Sequence, residues 1–183
     1  MSIWIKRLEV TNFAGIAGAS IQLGPGLNVL YGPNEIGKSS LVKAIRVALL
    51  LPTTSTVAET LLDWNTDAPP SVALTFEQEP GSIWRVRKSF GSGPNAWSYL
   101  EFSKDGQSFT QDKKGREVDG KLQELLRWGV GTPGGRGRRA RGVPESFITS
   151  ALLAEQNDVI AILNRSLGED LDESGRQQLT EAL

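Results

Sequence analysis

The 183 residues predict an α/β fold in which mixed and antiparallel β-sheet packs around a helix that follows a glycine-rich loop. Three observations predict it. The apolar run Leu27-Asn28-Val29-Leu30-Tyr31 is bounded by glycine on both sides, as expected of a strand buried on both faces of a mixed or parallel sheet. After Ser39 the pattern turns helical, with Leu41, Ile45, Ala48 and Leu49 on one stripe until Pro52 forbids continuation. From Val72 the apolar period falls to two, with turn residues between the runs.

Element by element, residues 3–10 alternate Ile3 and Ile5 against Trp4 and Lys6 and read as a strand ending near Thr11-Asn12. Ile21 and Leu23 form a second short strand, stopped by Gly24-Pro25-Gly26. The buried strand, the loop and the helix follow. Residues 53–70 are a Thr/Ser-rich link with a short helical piece at Val57 to Leu62, closed by Pro69-Pro70. Val72, Leu74 and Phe76, then Trp84, Val86 and Phe90 across Pro80-Gly81-Ser82, make a hairpin. Tyr99 to Phe102 and Gln107 to Thr110 make another, where Asp105-Gly106 suits a tight turn. Leu122, Leu125 and Leu126 have helical spacing within Lys121 to Trp128. Residues 129–142 hold six Gly and four Arg, a composition expected of a mobile loop. Phe147 through Leu163 returns to helix-like spacing around the polar stretch Glu155 to Asp158. A last helix begins at Ser174, where Ser174 and Gln177 have capping-box spacing; no Gly, Asn or Pro ends it, so the chain is expected to be cut inside that helix.

Composition narrows the chemistry. With no Cys and no His, disulfides, thiol catalysis, Ser–His triads and classical zinc sites are excluded, and a metal would have to sit on oxygen ligands, as magnesium does. No apolar run approaches the roughly 18 residues of a membrane span, and Met1 to Lys6 does not open like a secretory signal, so a cytoplasmic chain without membrane contact is expected. The net charge of −1 hides segregation. Residues 1–80 carry 5 basic and 7 acidic groups, 81–142 carry 13 and 6, and 143–183 carry 2 and 8. A basic middle third is what a polyanion surface requires, although basic residues on a solvated strand face produce the same count.

The chemistry lies in Gly32-Pro33-Asn34-Glu35-Ile36-Gly37-Lys38-Ser39, which fits G-x-x-x-x-G-K-[ST] at every fixed position. Glycines let backbone N–H groups turn inward around a polyphosphate, and the helix starting near Lys38 adds its positive end. The lysine bridges the terminal phosphates and the Ser39 hydroxyl ligates magnesium.

With the N-terminal strand closing on Asn12-Phe13, and Gly24-Pro25-Gly26-Leu27-Asn28-Val29-Leu30-Tyr31 running into that loop, residues 3–51 resemble the opening of SMC-like ATPases. These include SbcC-type break-repair proteins, RecF, RecN and related defence-system ATPases. Beyond residue 51 the order of hairpins, variable loop and glutamine-bearing segment is similar, more loosely, to the first lobe of an ABC-type head. The resemblance implies ATP and Mg2+ as ligands, with Asn12, Gly32, Pro33, Asn34, Glu35, Gly37, Lys38, Ser39 and Ser40 around the nucleotide. It implies a Q-loop role for Gln156, placing magnesium and the attacking water beside Lys38, and a coiled-coil root in the helix from Ser174. Residues 1–165 would be the ATP-binding lobe, with 131–142 as its mobile loop, and 166–183 the start of the coiled-coil-proximal helix. Relatives often carry Arg or Lys after Asn-Phe, approaching the phosphates; this chain has Ala14.

The same resemblance sets the partners. An acidic magnesium partner, a catalytic Glu and a Ser-Gly-Gly signature do not follow Gln156, and in the family they lie in a C-terminal lobe beyond the coiled coil. The expectation is therefore an N-terminal lobe that holds ATP and hydrolyses it poorly or not at all alone. It would act as an ATPase with that lobe and a second head, on DNA and beside a nuclease subunit, in break repair, chromosome maintenance or phage defence. Arg85, Arg87, Lys88, Lys104, Lys113 and Lys114 are the candidate DNA contacts. Two alternatives stay open: a self-contained small P-loop kinase, and a non-catalytic interaction module with a vestigial loop.

Overall fold

The computed structural model describes residues 3–55 and 68–126. Within them the chain runs β1 (Trp4–Phe13), β2 (Ile16–Gln22), α1 (Lys38–Leu50), β3 (Ser71–Glu79), β4 (Ser82–Ser89), β5 (Trp97–Ser103), β6 (Thr110–Lys114) and α2 (Glu117–Leu126). The six strands form one sheet in the order β2-β1-β3-β4-β5-β6. Every pairing in it is antiparallel.

Alternation along the strands divides the sheet into two faces. Leu8, Val10, Val72, Leu74, Phe76, Val86 and Leu100 are buried on the inner face, together with Phe13 and Phe90. Both helices supply residues to this core. Val118, Leu122, Leu125 and Leu126 come from α2. On α1 the deepest positions are Ala44, Val47, Ala48 and, just past its end, Leu51, which repeat at intervals of three, one and three. Of the expected stripe, Ala48 and Leu49 are buried, whereas Leu41 and Ile45 are half-buried. Toward its start the buried line runs through Ala44 instead, a small residue that periodicity in apolarity does not single out.

Two expectations are corrected here. Leu27 to Tyr31 is not a buried strand: these residues form no ladder, and Leu27, Val29, Leu30 and Tyr31 are exposed. A central strand needs a neighbour on each side to satisfy its backbone, and among the described strands β1, β3, β4 and β5 already have both sides occupied. The sheet is accordingly antiparallel rather than mixed among the described residues. The second hairpin also shifts, from 107–110 to Thr110–Lys114. The Asp105 carboxylate accepts the backbone N–H groups of Gln107 (2.8 Å) and Ser108 (2.9 Å) and the Ser103 hydroxyl (2.8 Å). That network holds the chain in a longer turn instead of a two-residue one. The turn folds over the outer face, where a Cβ on Gly106 would lie 3.2 Å from Ile83 Cδ1.

The first hairpin lies where its alternation predicts, as β3 and β4, and α2 begins four residues before Lys121. The short helix at Val57 to Leu62, the loop at 131–142, the segment bearing Gln156, the helix from Ser174 and the boundary at residue 165 fall outside the described residues. Among the described residues, no helix is long and apolar enough to cross a membrane.

Candidate functional site

The candidate site is the junction between the glycine-rich loop and α1. Gly37 precedes the helix with φ of 92°, a left-handed conformation that glycine adopts without the penalty a Cβ brings. No side chain caps the helix and no acidic residue stands in its first turn. The first backbone bond into the helix runs from Leu41 N–H to the Gly37 carbonyl at 3.0 Å. The N–H groups of residues 38–40 lie ahead of it, where a 13-residue helix also presents its positive end. An oxyanion placed there meets donors and no competing carboxylate.

Lys38 folds back across this loop. Its Nζ donates to the Gly32 carbonyl at 2.9 Å and to the Pro33 carbonyl at 2.6 Å. An ammonium on two neutral carbonyls at an open site can exchange them for phosphate oxygens, which carry full charge. Ser39 is exposed beside it, whereas the Ser40 hydroxyl donates to the Ala14 carbonyl at 3.1 Å. Pro33, Asn34 and Glu35 are exposed along the loop, with Glu35 at φ of 69°. Asn12, half-buried at φ of 52°, lies in the turn that carries Ala14. Upstream, Asn28 closes the Gly24-Pro25-Gly26 turn by accepting from Gly24 N–H (2.9 Å) and donating to the carbonyls of Gly24 (2.9 Å) and Gly26 (3.1 Å). Among the described residues no group of three or more carboxylates could hold a metal. A magnesium ion here would rest on Ser39 and on the oxygens of a bound polyphosphate.

The candidate DNA residues separate into three kinds. Arg85 and Arg87 share the outer face of β4, as alternation predicts, but they also share one carboxylate. Arg85 Nε stands 2.6 Å and Arg87 Nη1 3.3 Å from Glu101 on β5. Each is further engaged by an aromatic ring, Arg85 at 3.9 Å from the Phe109 centroid and Arg87 at 5.7 Å from that of Trp97. Lys104 and Lys114 are exposed and Lys113 is half-buried. Lys88 is a correction. It is fully buried on the inner face, donating to Asp119 Oδ1 at 2.7 Å and to the Leu51 carbonyl at 2.9 Å, and cannot contact DNA. Burial holds its ammonium below the ordinary lysine range, against the pull of Asp119. Its signal was in the alternation, because Trp84, Val86 and Phe90 place position 88 on the apolar side. Phe109 and Glu101 carry no local signal, since the arginines they meet lie on a distant stretch of chain.

Residues 7–128 match the model of the AAA domain family. The DNA double-strand break repair Rad50 ATPase of Methanopyrus kandleri is 25% identical over 181 residues, 98% of this chain and 20% of that protein. The Rad50 ATPase of Halobacterium salinarum is 36% identical over 104 residues, 54% of this chain and 12% of the relative. The DNA replication and repair protein RecF of Shewanella loihica is 49% identical over 41 residues, 22% of this chain and 11% of the relative. The chain spans a fifth or less of the length of these relatives. The resemblance to SMC-like ATPases expected from residues 3–51 is borne out by these matches.

Proposed function

Since the chain belongs to the AAA domain family, we propose that it is the ATP- and magnesium-binding N-terminal part of an SMC-like ATPase head acting in DNA repair. The observation that carries this reading is the junction itself: a helix start with free N–H groups, and Lys38 laid across the loop on exchangeable carbonyls. In the proposed site the N–H groups of the loop and of residues 38–40 take the phosphate oxygens. Lys38 leaves the Gly32 and Pro33 carbonyls to bridge the terminal phosphates, and Ser39 reaches the magnesium. Gln156 is assigned the water-positioning role.

Hydrolysis in this reading requires groups from elsewhere. A C-terminal lobe carries the acidic magnesium partner and the catalytic glutamate, and a second head closes on ATP with its signature segment. The exposed apolar segment at 27–31 supports that arrangement, because its backbone, which joins no ladder among the described residues, can take strands from another lobe. DNA and a nuclease subunit are the further partners proposed, with Lys104, Lys113 and Lys114 as DNA contacts and Arg85 and Arg87 as secondary ones. The small-kinase alternative is disfavoured by the run β3-β4-β5-β6, which is interrupted by one 3-10 turn at Gly93–Asn95 and by no α-helix.

Calorimetric titration with Mg-ATP, followed by phosphate release on the same sample, tests the proposal. Binding with negligible turnover is expected, and Lys38→Ala should abolish binding while leaving the unfolding midpoint unchanged. Wild-type affinity in Lys38→Ala would overturn the assignment, and robust turnover by this chain alone would return the kinase reading.

A further inference from the structure

The turn between β1 and β2 makes two contacts with the loop–helix junction, and they fall on either side of Lys38 and Ser39. On the loop side, Ile16 lies over Gly37. A Cβ on Gly37 would stand 2.8 Å from Ile16 Cγ1 and 2.9 Å from Cδ1, so the isoleucine fills the space a side chain would need. On the helix side, the Ala14 carbonyl accepts the Ser40 hydroxyl at 3.1 Å. The turn itself is unusual. Asn12, Ala14 and Gly15 have φ of 52°, 46° and 84°, and an alanine in the left-handed region persists only where its surroundings determine it. Phe13, fully buried between them, anchors the turn to the core.

Two contacts bracketing two residues restrict how those residues can move. The N–H groups of residues 38–40 point where Gly37 and the first helical turn direct them. Ile16 limits the rotation of Gly37, and the Ala14 carbonyl holds Ser40 on the helix side. We propose that the β1–β2 turn is a positioning element for the phosphate loop, with Ile16 and Ser40 as its positioning residues. The Ser40 hydroxyl is then neither a phosphate nor a magnesium ligand, because it serves the turn, and Ser40 meets phosphate through its backbone N–H alone. The inference rests on the reading of the loop as a polyphosphate site, and it assigns the control of that site's shape to a hairpin distant in sequence.

The test uses the full chain, with Mg-ATP and inorganic tripolyphosphate as separate probes and thermal unfolding on every sample. Ser40→Ala and Ile16→Ala are each expected to weaken both probes by about fivefold to tenfold, in the same ratio, well below their unfolding midpoints. Ser40→Thr, which keeps the hydroxyl, should restore affinity, and Ile16→Val should restore most of it. A purely structural role would lower the unfolding midpoint and leave both affinities unchanged, which would overturn the proposal. Weakened ATP binding with unchanged tripolyphosphate binding would also overturn it, since the turn would then touch the nucleoside rather than shape the loop. If either alanine variant fails to fold, Ile16→Val decides: residual weakening of both probes in the same ratio supports the proposal, and full wild-type affinity for both refutes it. A wild-type chain that binds neither probe refutes the functional reading and this inference with it; wild-type binding with indifferent variants refutes this inference alone.

Discussion

Asp105 shows what one side chain can do to a hairpin. Asp-Gly between two alternating runs is a strong local signal for a tight turn, yet the Asp105 carboxylate takes N–H groups two and three residues ahead and delays the return strand. Those N–H donors, with the Ser103 hydroxyl, lower its pKa to about 2. A carboxylate depressed in the folded state contributes stability above its ordinary pKa near 3.9 and loses it as pH falls toward the folded value. The stability difference between wild type and Asp105→Asn should therefore be constant near neutrality and close between about pH 4 and about pH 2. Thermal unfolding across that range measures it, and a gap independent of pH would show that the charge is immaterial. Gly37, Lys38 and Ser39 were legible at this scale because all their determinants lie within eight consecutive residues. The Ser40–Ala14 bond spans 26 positions, and nothing at either end announces it.

Among elements, the most instructive junction is the one Lys88 makes. From β4 its ammonium reaches the carbonyl of Leu51, where α1 has just ended, and Asp119 in the first turn of α2. A cation at the negative end of one helix and an anion near the positive end of another are each favourably placed. Removing one member of a buried pair strands the other. Asp119→Ala is expected to cost about 3–5 kcal/mol in chemical denaturation. Lys88→Met, which fills similar volume without a charge and leaves Asp119 partly solvated, should cost much less; equal losses would mean that packing, not charge, governs this junction. Strand and helix identities here were readable from period alone. The α1 stripe holds at Ala48 and Leu49, but periodicity ranks residues by apolarity and passes over Ala44, which is fully buried while Leu41 and Ile45 are half-buried.

At the scale of the whole molecule, charge and exposure point in different directions. The basic middle segment suggests a polyanion surface, yet the six candidate contacts in it are divided among the core (Lys88), a shared ion pair (Arg85 and Arg87), the turn after β5 (Lys104) and the edge strand β6 (Lys113 and Lys114). If the proposed ATP-engaged dimer grips DNA, reversing Arg85 and Arg87 together should weaken that binding and flatten its salt dependence, because fewer counterions are released. The effect should be smaller than that of reversing Lys104 and Lys114, which share no carboxylate among the described residues. Binding slopes measured across a salt series decide between them, and an identical slope in the Arg85/Arg87 variant would remove that pair from the surface. The exposed 27–31 segment was misread for a reason that also belongs to this scale. An apolar run reports what a residue needs, and the strands that would satisfy that need are not among those described.

The sheet order also carries a consequence for how the chain reaches its native state. Four of the five strand pairings join neighbours in sequence, while β1 must find β3 with β2, the loop and α1 in between, so that Thr11 pairs with Ser71. Closing that long loop is the entropically expensive step, and the β3–β6 meander can assemble before it. Refolding kinetics should reflect this order. A variant that stiffens or spoils the Pro80-Gly81 turn should change the folding rate strongly, whereas Val10→Ala in β1 should act mainly on unfolding. The reverse pattern would mean that the N-terminal strand nucleates the sheet, and that the stretch bearing the glycine-rich loop is ordered first.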